Sequence, residues 1–463
     1  MTVSFTERIA KFIVQMSYDR LDAAAVDVSK RCILDCLGVT LAGSEEEAGR
    51  IVSEFVKDTG KPEAGVIGES FKTSADQAAW VNGTKGHALD YDDYFTPDHL
   101  TPYHPTVALL PAVLAVGEKL HISGKEVLLS YITGFEVEAR IAMSCVKQQY
   151  DLGWHTTSTL GSLGAAAAIA TMLKLDEEKI EIALSIASSL AGGLRKNFGT
   201  MTKPLHAGNA ARNGVVAAIL AQRGFTADRS ILDSPLSFCE VLGGGIEQET
   251  ADMNEAAKAE FYIVLPGVAL KPYPSCAYTH WAIDVALELG KEARIVPDNI
   301  VEIECQTSSG LPRVLIHSCP KTALEGKFSL EFCIAIALID SEVSLKQFAD
   351  EKVKDSAVQE LIKKVKYVHP LEMGTELMDL KGRVVIKLQN GEIHSRQVDV
   401  AKGNPQNPLG KDELIYKYKD CVRLSLSPEN TDKSLDMLLN LESVGDIAEL
   451  MDIFTFKAKH NHR

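Results

Sequence analysis

Two runs of small residues place the strongest constraint on the fold. Between Leu160 and Leu173 alanine recurs and glycine stands at positions 161 and 164. Side chains this small are typical of a helix that is buried all round, with close neighbours. A run of about 14 residues is also too short to span a membrane. A second alanine-rich run, Ala207–Arg223, stops at Gly224, a common residue after a helix C-terminus.

Apolar residues at helical spacing extend this pattern through the first half of the chain, which we predict to be almost entirely helical. A Ser-x-x-Glu capping box opens one of these helices at Ser123. The other predicted helices are Phe5–Met16, Ala23–Leu41, Ala75–Asp93 with a possible break at Asn82-Gly83, and the helix that follows Asp176 as far as Leu190.

The pattern changes near Leu270, where alternating apolar residues predict β-strands. One alternating run lies at 299–307, and two more, 383–388 and 392–400, are joined by Gln-Asn-Gly. Asn-Gly between two such runs is a strong hairpin signal. Helices are predicted at 330–338 and 356–365, and helical patterning returns after a Gly- and Pro-rich linker at 403–410.

These patterns predict a mainly α fold with two domains. A large all-helical domain is expected from residues 1–268 and 404–463, and a smaller α+β domain from residues 269–403. A chain of 463 residues is also too long for a single core.

Charge indicates which partners to expect, and cysteine content indicates which cellular compartment to expect. The formal net charge is -15, which argues against nucleic acid or an anionic membrane as a partner. The N-terminus shows no signal peptide, and the nine cysteines are scattered without a Cys-x-x-Cys motif. We therefore expect buried free thiols and a cytoplasmic location.

An acidic stretch interrupts the apolar patterning at His-Ala-Leu-Asp-Tyr-Asp-Asp-Tyr, residues 87–94, followed by His-Pro-Thr at 104–106. If the first part is helical, His87, Asp90 and Asp93 share one face. The X-Pro-rich loop that follows cannot stay helical, so His104 should stand at the start of the next apolar helix. A surface acidic turn is the alternative. The same groups could hold a divalent metal, although we expect none.

Three further clusters put lysine or histidine into Gly- or Pro-containing loops ahead of apolar helices. They are Gly-Trp-His-Thr-Thr at 153–157, Thr-Lys-Pro-Leu-His-Ala-Gly at 202–208, and Lys-Pro-Tyr-Pro-Ser-Cys at 271–276. Helix N-termini attract anions, and a lysine or histidine adds to that attraction. Each cluster alone could be a loop with a solvated lysine or a core histidine. Their recurrence predicts a cationic pocket for a small molecule with several carboxylates.

Other enzyme classes lack their motifs in this sequence. It has no P-loop, no dinucleotide-binding Gly-x-Gly-x-x-Gly after a strand, no Gly-x-Ser-x-Gly elbow and no His-Glu-x-x-His. The cysteines are too scattered to ligate an iron–sulfur cluster.

In their order, these clusters resemble the MmgE/PrpD family, which includes 2-methylcitrate dehydratases, cis-aconitate decarboxylases and iminodisuccinate epimerases. The resemblance implies a large helical domain that the C-terminal segment completes, with a smaller α+β lid domain. It also implies a homodimer that needs no metal or organic cofactor.

The resemblance further implies specific site residues. Two lysines would clamp substrate carboxylates, His104 would transfer the proton, Asp90 would orient it or act as a second acid or base, and His155 would act from the opposite side. The implied catalytic residues are Asp90, His104, His155, Lys203 and Lys271, and the implied substrate-binding residues are Tyr94, Trp154, Thr202, His206 and Tyr273.

Two departures from the family pattern bear on specificity. At position 94 this chain carries a tyrosine, as the fungal decarboxylases do, where the animal decarboxylases carry a threonine. At position 332 it carries a phenylalanine where decarboxylases carry a tyrosine. The missing phenol counts against cis-aconitate decarboxylation, but not against the family.

The expected function is a lyase that acts on a small di- or tricarboxylate by proton transfer next to a carboxylate. The alternatives are an epimerase of an iminodisuccinate-type amino acid and a non-catalytic carboxylate-binding protein. An enzyme that forms a Schiff base through Lys203, with pyridoxal phosphate, is a further alternative outside the family.

Overall fold

The computed structural model describes residues 3–96, 102–145, 148–233, 235–246, 261–375 and 382–456. Part of the Pro-rich loop before His104 and the polar tail from Lys457 lie outside the described residues. Across the described residues, no helix combines the length and the apolar character needed to cross a membrane.

The contacts divide the chain into two compact units. Unit 1 holds Met1–Val268 and Gly410–Arg463, and unit 2 holds Ala269–Leu409. The boundary predicted at residue 403 from the residue patterns differs slightly, because residues 404–409 group with unit 2. There the backbone N–H of Leu270 donates to the Gly403 carbonyl, and the Gly403 N–H donates to Asn407.

Unit 1 is built almost entirely from helices, with one short two-stranded ribbon, β1 (Ala64–Gly65) and β2 (Lys72–Thr73). The helices before the boundary are α1 (Phe5–Gln15), α2 (Ala23–Gly43), α3 (Glu47–Val56), α4 (Ala75–Ala88), α5 (Pro105–Leu120), α6 (Gly124–Cys145), α7 (Thr156–Met172), α8 (Glu177–Leu190), α9 (Thr202–Gln222) and α10 (Phe238–Gly243).

The core of unit 1 is formed where α4, α5, α7 and α9 pack together. As its alanine content predicts, α7 is buried on all faces from Thr156 to Ala170. Close approach between α4 and α9 depends on glycine: a Cβ on Gly208 would lie 2.2 Å from the carbonyl oxygen of Trp80. Glycine at this crossing therefore allows the axes of α4 and α9 to come near enough for residues on different helices to share one site.

Unit 2 combines helices with a four-stranded sheet of order β4-β3-β5-β6. β3 pairs in parallel with β4 and antiparallel with β5, and β5 pairs antiparallel with β6 in the predicted hairpin. The elements are α11 (His280–Glu292), β3 (Ile300–Gln306), α12 (Ala323–Gly326), α13 (Leu330–Asp340), α14 (Asp350–Val353), α15 (Ser356–Ile362), β4 (Val365–Val368), β5 (Gly382–Leu388) and β6 (Ile393–Val398).

The C-terminal segment returns to unit 1 as α16 (Lys411–Val422), α17 (Pro428–Leu439) and α18 (Ile447–Phe454). Lys417 on α16 is buried, lies 2.6 Å from Asp35 on α2 and donates to the backbone carbonyl of Tyr91 at 2.8 Å. Lys417 therefore joins the last part of the chain to α2 through a buried ion pair and to the acidic stretch through a hydrogen bond.

The predicted mainly α class with a small α+β part is confirmed. Two local predictions are wrong. α4 runs through Asn82-Gly83 without a break and ends at Ala88, so Asp90 and Asp93 do not share a helical face. Asp90 instead has a left-handed backbone with φ 52°. The second miss is β4, which follows α15 where the sequence predicted only the end of a helix.

Most of the cysteines described are free thiols, as expected, at positions 32, 36, 276, 305, 319, 333 and 421. Of these, Cys319 is exposed, so the expected burial is wrong for this residue. Cys239 is disulfide-bonded, so the expectation of an entirely reduced set is wrong at this residue.

Candidate active site

Three helix N-termini and one helix C-terminus meet in the candidate site of unit 1. His104 is the N-cap residue of α5 and His155 is the N-cap residue of α7, so both lie where the sequence indicates. Lys203 is the second residue of α9, and His87 is the last residue but one of α4. Because these helices pack against one another, residues far apart in the chain form one cluster.

Asp90 and Lys203 form the charged pair of this cluster. The Lys203 ammonium donates to Oδ1 of Asp90 at 2.6 Å, and both side chains are buried. The Lys203 nitrogen also lies 5.2 Å from the centre of the Phe198 ring. Burial strengthens the attraction between the two charges, but the cost of removing both from water offsets much of that gain. Removal of either partner alone would leave an unpaired charge in the interior.

Asp92 is the carboxylate that contacts two imidazoles at once. Its Oδ2 lies 2.9 Å from Nδ1 of His87 and 3.2 Å from Nδ1 of His104. Nδ1 of His104 also lies 2.7 Å from the backbone carbonyl oxygen of Asp93. The two partners of His104 Nδ1 accept hydrogen bonds and cannot donate, so Nδ1 carries the proton and Nε2 holds the lone pair.

A second pair of imidazoles lies beside the first. His155 Nδ1 and His206 Nδ1 are 3.1 Å apart, so one donates a hydrogen bond and the other accepts it. The His155 ring stacks against His87 with centroids 5.7 Å apart, and the His104 ring meets His87 edge-on at 4.5 Å. The four imidazoles thus form a row in which each ring contacts the next.

Burial makes several of these imidazoles neutral. Desolvation lowers the pKa of His87 to about 4 and that of His206 to about 4, and it lowers the pKa of His155 well below the usual value. The pKa of Asp92 is also lowered, because the contacts with His87 and His104 outweigh its burial. In unit 1, three neutral imidazoles thus lie near a lysine that is paired with a carboxylate, and the predicted cationic pocket stays a prediction.

Asp93 lies behind the site and has a structural role. Its carboxyl group forms a hydrogen bond with the hydroxyl of Thr106 and accepts one from the Thr106 backbone N–H, which caps α5. The hydroxyls of Thr106 and Tyr131 are 2.6 Å apart. Desolvation raises the pKa of Asp93 to about 8, so this carboxyl is protonated at neutral pH. The adjacent residues Asp92 and Asp93 therefore hold different charge states.

The other residues predicted for substrate binding in unit 1 lie near these helix ends. Tyr94 is buried in the segment after Asp90. Trp154 precedes His155 and forms a β-bridge with Leu194. Thr202 is the first residue of α9, directly before Lys203.

Lys271 and Tyr273 belong to unit 2. Lys271 is buried, and the Tyr273 hydroxyl donates to Oδ1 of Asp284 at 2.7 Å within the same unit. Phe332 is also fully buried in unit 2, where its ring lies 5.7 Å from that of Phe348. At this position the chain builds apolar core.

The cluster also has the composition of a possible metal site. Among the described residues, one ligand atom each from His87, Asp90, Asp92 and His104 lies within 4.8 Å of the others. The Lys203 ammonium already supplies a positive charge to Asp90, and both imidazoles present a proton-bearing Nδ1 to Asp92. The Lys203 ammonium competes with a cation at Asp90, whereas an imidazole that donates Nδ1–H to a carboxylate is common both at proton-transfer sites and at metal sites.

Sequence reasoning did not assign roles to His87 and Asp92. Both belong to the acidic stretch, but a spacing of five residues matches neither a helical face nor a familiar motif. The missing signal was the end of α4 at Ala88, which lets the chain turn back and bring Asp92 onto His87.

Comparisons with known proteins agree with this architecture. Residues 7–251 match the MmgE/PrpD N-terminal domain, and residues 273–443 match the MmgE/PrpD C-terminal domain. The cis-aconitate decarboxylase of Mus musculus is 30% identical over 97% of this chain and 93% of the mouse protein. A cis-aconitate decarboxylase of Aspergillus terreus is 26% identical over 98% of this chain and 96% of its own length. The mitochondrial 2-methylcitrate dehydratase of Yarrowia lipolytica is 23% identical over 98% of this chain and 91% of its own length.

The chain therefore belongs to the MmgE/PrpD family. The prediction of a lyase, of the decarboxylase or dehydratase type, is confirmed at that level by these relatives.

Proposed function

We propose that this lyase acts on a small di- or tricarboxylate and moves a proton next to one of its carboxylates. The observation that carries the proposal is the buried cluster of Lys203, Asp90 and four imidazoles. A lysine can bind a substrate carboxylate and stabilise the negative charge that develops beside it. Neutral imidazoles can accept a proton, and their conjugate acids can return one.

Each candidate catalytic residue has a role in this proposal. Lys203 binds a carboxylate of the substrate, with Asp90 holding the ammonium in place. His104 exchanges a proton through Nε2, because its Nδ1 is engaged with the Asp93 carbonyl and with Asp92. His155 and His206 act together through their shared hydrogen bond. Lys271 is proposed as a second carboxylate-binding lysine, from its match to the family motif.

Decarboxylation and dehydration are both consistent with this chemistry. The names of the relatives suggest the order in which to test the substrates. cis-Aconitate is the first substrate to test, because the mouse relative with 30% identity is named for its decarboxylation. 2-Methylcitrate is the second, because of the dehydratase relative and because Phe332 lacks the phenol of the decarboxylases. An iminodisuccinate-type amino acid tests the epimerase alternative.

The deciding experiment is proton NMR of the purified protein in D2O with these three compounds and citrate. Loss of the cis-aconitate vinylic signal with release of CO2 identifies a decarboxylase, and a new vinylic signal from 2-methylcitrate identifies a dehydratase. Exchange at Cα without net product identifies an epimerase. Thermal stabilisation by these compounds without turnover would contradict the lyase proposal and favour a binding protein.

We propose that catalysis needs no metal or organic cofactor. Dialysis against a chelator should leave turnover unchanged, because Lys203 supplies the positive charge that a metal would otherwise provide. Loss of turnover that returns with a divalent ion would overturn this part of the proposal. A borohydride-trappable adduct on Lys203 would instead favour the Schiff-base alternative.

We also propose a cytoplasmic homodimer. Support for self-association comes from an apolar surface on α3, where Ile51 is 54% exposed and Phe55 is 71% exposed. The Phe55 ring meets Trp80 edge-on at 5.7 Å, so the surface extends onto α4. Adjacent exposed apolar side chains of this kind are typical of protein interfaces.

A further inference from the structure

His87 lies between the two imidazoles assigned from the family pattern, His104 and His155. Its ring centre is 4.5 Å from that of His104 and 5.7 Å from that of His155, and its side chain is 1% exposed. Any small molecule that contacts both assigned imidazoles also comes close to this third ring.

Asp92 determines which nitrogen of His87 carries the proton. Nδ1 of His87 lies 3.0 Å from Oδ1 and 2.9 Å from Oδ2 of the Asp92 carboxylate. An ionised carboxylate only accepts hydrogen bonds, so Nδ1 of His87 is the donor. The lone pair of the neutral ring is therefore on Nε2.

Nε2 of His87 is buried and has no hydrogen-bond partner among the described residues. Leaving a buried polar atom unpaired is unfavourable, so such atoms are uncommon in stable cores. Here the unpaired atom belongs to a base that Asp92 holds in a fixed orientation, on an imidazole close to the carboxylate of the buried Asp90–Lys203 pair. A ligand atom that meets Nε2 would remove the cost.

We propose that His87 is a further catalytic residue, which exchanges a proton with a substrate carbon through Nε2, and that Asp92 is its positioning residue. This inference rests on the proposed lyase function. The Asp92 carboxylate also contacts Nδ1 of His104, so one carboxylate directs the Nε2 lone pairs of two imidazoles.

In both lyase reactions every proton that His87 takes up or gives has a defined source or destination. In a dehydration, Nε2 of His87 takes the proton from the carbon next to a carboxylate. The C–H electron pair forms the double bond, and the hydroxyl leaves as water with a proton from a second acid such as the His104 imidazolium. In a decarboxylation, the C–C bond breaks, CO2 leaves, and the electron pair takes the proton that the His87 imidazolium carries on Nε2. Solvent returns that proton before the next turnover.

The test uses His87→Asn in the full-length protein. The asparagine amide nitrogen keeps a donor close to the position of Nδ1, so the bond to Asp92 can persist, but nothing replaces Nε2. We expect kcat to fall by about a hundredfold to ten-thousandfold, with the thermal midpoint close to that of the wild type. His121→Asn is the matched control, because His121 also bonds an aspartate, Asp446, through Nδ1 at 2.8 Å but is exposed.

Two further readouts separate catalysis from structure. Added imidazole should partly restore turnover in His87→Gly, whereas a residue that only supports the fold would not be rescued. Asp92→Asn should lower kcat and shift the pH profile of kcat, because the carboxylate that selects the Nδ1–H tautomer of both rings is lost.

Nitrogen NMR of histidine-labelled wild-type protein tests the geometry without any substrate. The signal that disappears in His87→Asn should show Nδ1 protonated and Nε2 unprotonated at neutral pH. If the wild type turns over none of the tested acids, the proposed function fails while this measurement still decides the tautomer. An Nε2–H tautomer, or a kcat of His87→Asn within a few-fold of the wild type, would overturn the inference about His87.

Discussion

At the scale of single residues, the site depends on pairs of neighbouring groups that differ in charge. Asp92 is ionised beside two imidazoles, whereas desolvation keeps the adjacent Asp93 protonated. Different environments for like groups are how enzymes provide an acid and a base at one pH. The role of each residue can therefore be tested by a separate substitution.

Lys203→Arg tests the geometry of the charged pair. Arginine keeps the positive charge, so Asp90 stays paired and the fold should survive, but its planar guanidinium cannot occupy the ammonium position. We expect turnover to fall by about a hundredfold or more, with little change in the thermal midpoint. Lys196→Arg, at an exposed lysine nearby, serves as the control. Near-normal kcat in Lys203→Arg would remove Lys203 from the mechanism.

Asp93→Asn tests the protonated carboxyl behind the site. Its pKa is raised to about 8 in the folded protein, against an ordinary value near 4 in the unfolded chain. Between these values the folded state binds the extra proton, so this residue's contribution to stability is present at low pH and is lost as the pH rises toward 8. The thermal midpoint of the wild type minus that of Asp93→Asn should therefore fall between pH 5 and pH 8. A flat or rising difference, in scans where the exposed control Asp19→Asn shows no trend, would contradict the protonated state.

Phe332→Tyr tests whether the missing phenol limits decarboxylation. Phe332 is fully buried beside Phe348, and a Cβ on Gly326 would lie 3.0 Å from its ring. A hydroxyl placed there without a partner should destabilise the protein by about 1–3 kcal/mol and should not raise turnover of cis-aconitate. Denaturant unfolding and the NMR assay measure the two effects, with the exposed Phe225→Tyr as the control. A clear gain in decarboxylation would show that the position faces the substrate.

At the scale of elements, the site exists because helix ends are brought together by close packing. α4 carries His87 at its C-terminal end, while α5, α7 and α9 present His104, His155 and Lys203 at their N-terminal ends. The distances between these ends depend on how near the helix axes lie. Small residues at the crossings are thus part of the catalytic geometry, although they touch no substrate.

Gly208→Ala tests this dependence at the crossing of α4 and α9. The new Cβ would lie 2.2 Å from the Trp80 carbonyl oxygen, a backbone atom that cannot move without shifting α4. We expect a loss of stability of about 1–3 kcal/mol or more, together with a drop in kcat, because Lys203 moves relative to Asp90. Denaturant unfolding and turnover measure the two effects. Gly445→Ala is the control, because a Cβ there meets nothing within 4 Å. Full activity in Gly208→Ala would show that the spacing of α4 and α9 does not set the site.

For the whole molecule, two features matter: how the C-terminal segment completes unit 1, and whether two chains associate. Unit 1 is closed by the C-terminal helices, since Lys417 on α16 joins Asp35 on α2 and the carbonyl of Tyr91. The family match likewise continues to residue 443, within that segment. Loss of the C-terminal segment would therefore affect the acidic stretch directly.

Phe55→Lys tests the proposed homodimer. The chain mass is 50.3 kDa, so sedimentation equilibrium of the wild type should report twice that value. A lysine in the exposed apolar surface of α3 should weaken the association by about 2 kcal/mol or more, if Phe55 lies at the centre of the interface. Val14→Lys, at a half-exposed valine on α1, is the control. A monomeric wild type, or an unchanged dimer in Phe55→Lys, would contradict this placement.

The features that the sequence predicted are those encoded by nearby residues. Alanine and glycine content identified α7 and α9, the Asn-Gly hairpin identified β5 and β6, and proline after His104 placed that histidine at a helix start. Apolar spacing, capping and turn residues act over a few positions, so one sequence suffices to recognise them.

Tertiary structure decided which of the polar residues touch one another and which are charged. Asp90 and Lys203 are 113 positions apart and His155 and His206 are 51 apart, so their contacts depend on helix packing. Asp92, rather than a residue on a helical face, directs His87 and His104 because α4 ends at Ala88. The neutral state of the buried imidazoles follows from desolvation, which no local pattern records. The sequence thus showed which kinds of residue form the site and which helix ends carry them. Their contacts and their charge states depend on how those helices pack, which acts over distances that no local pattern covers.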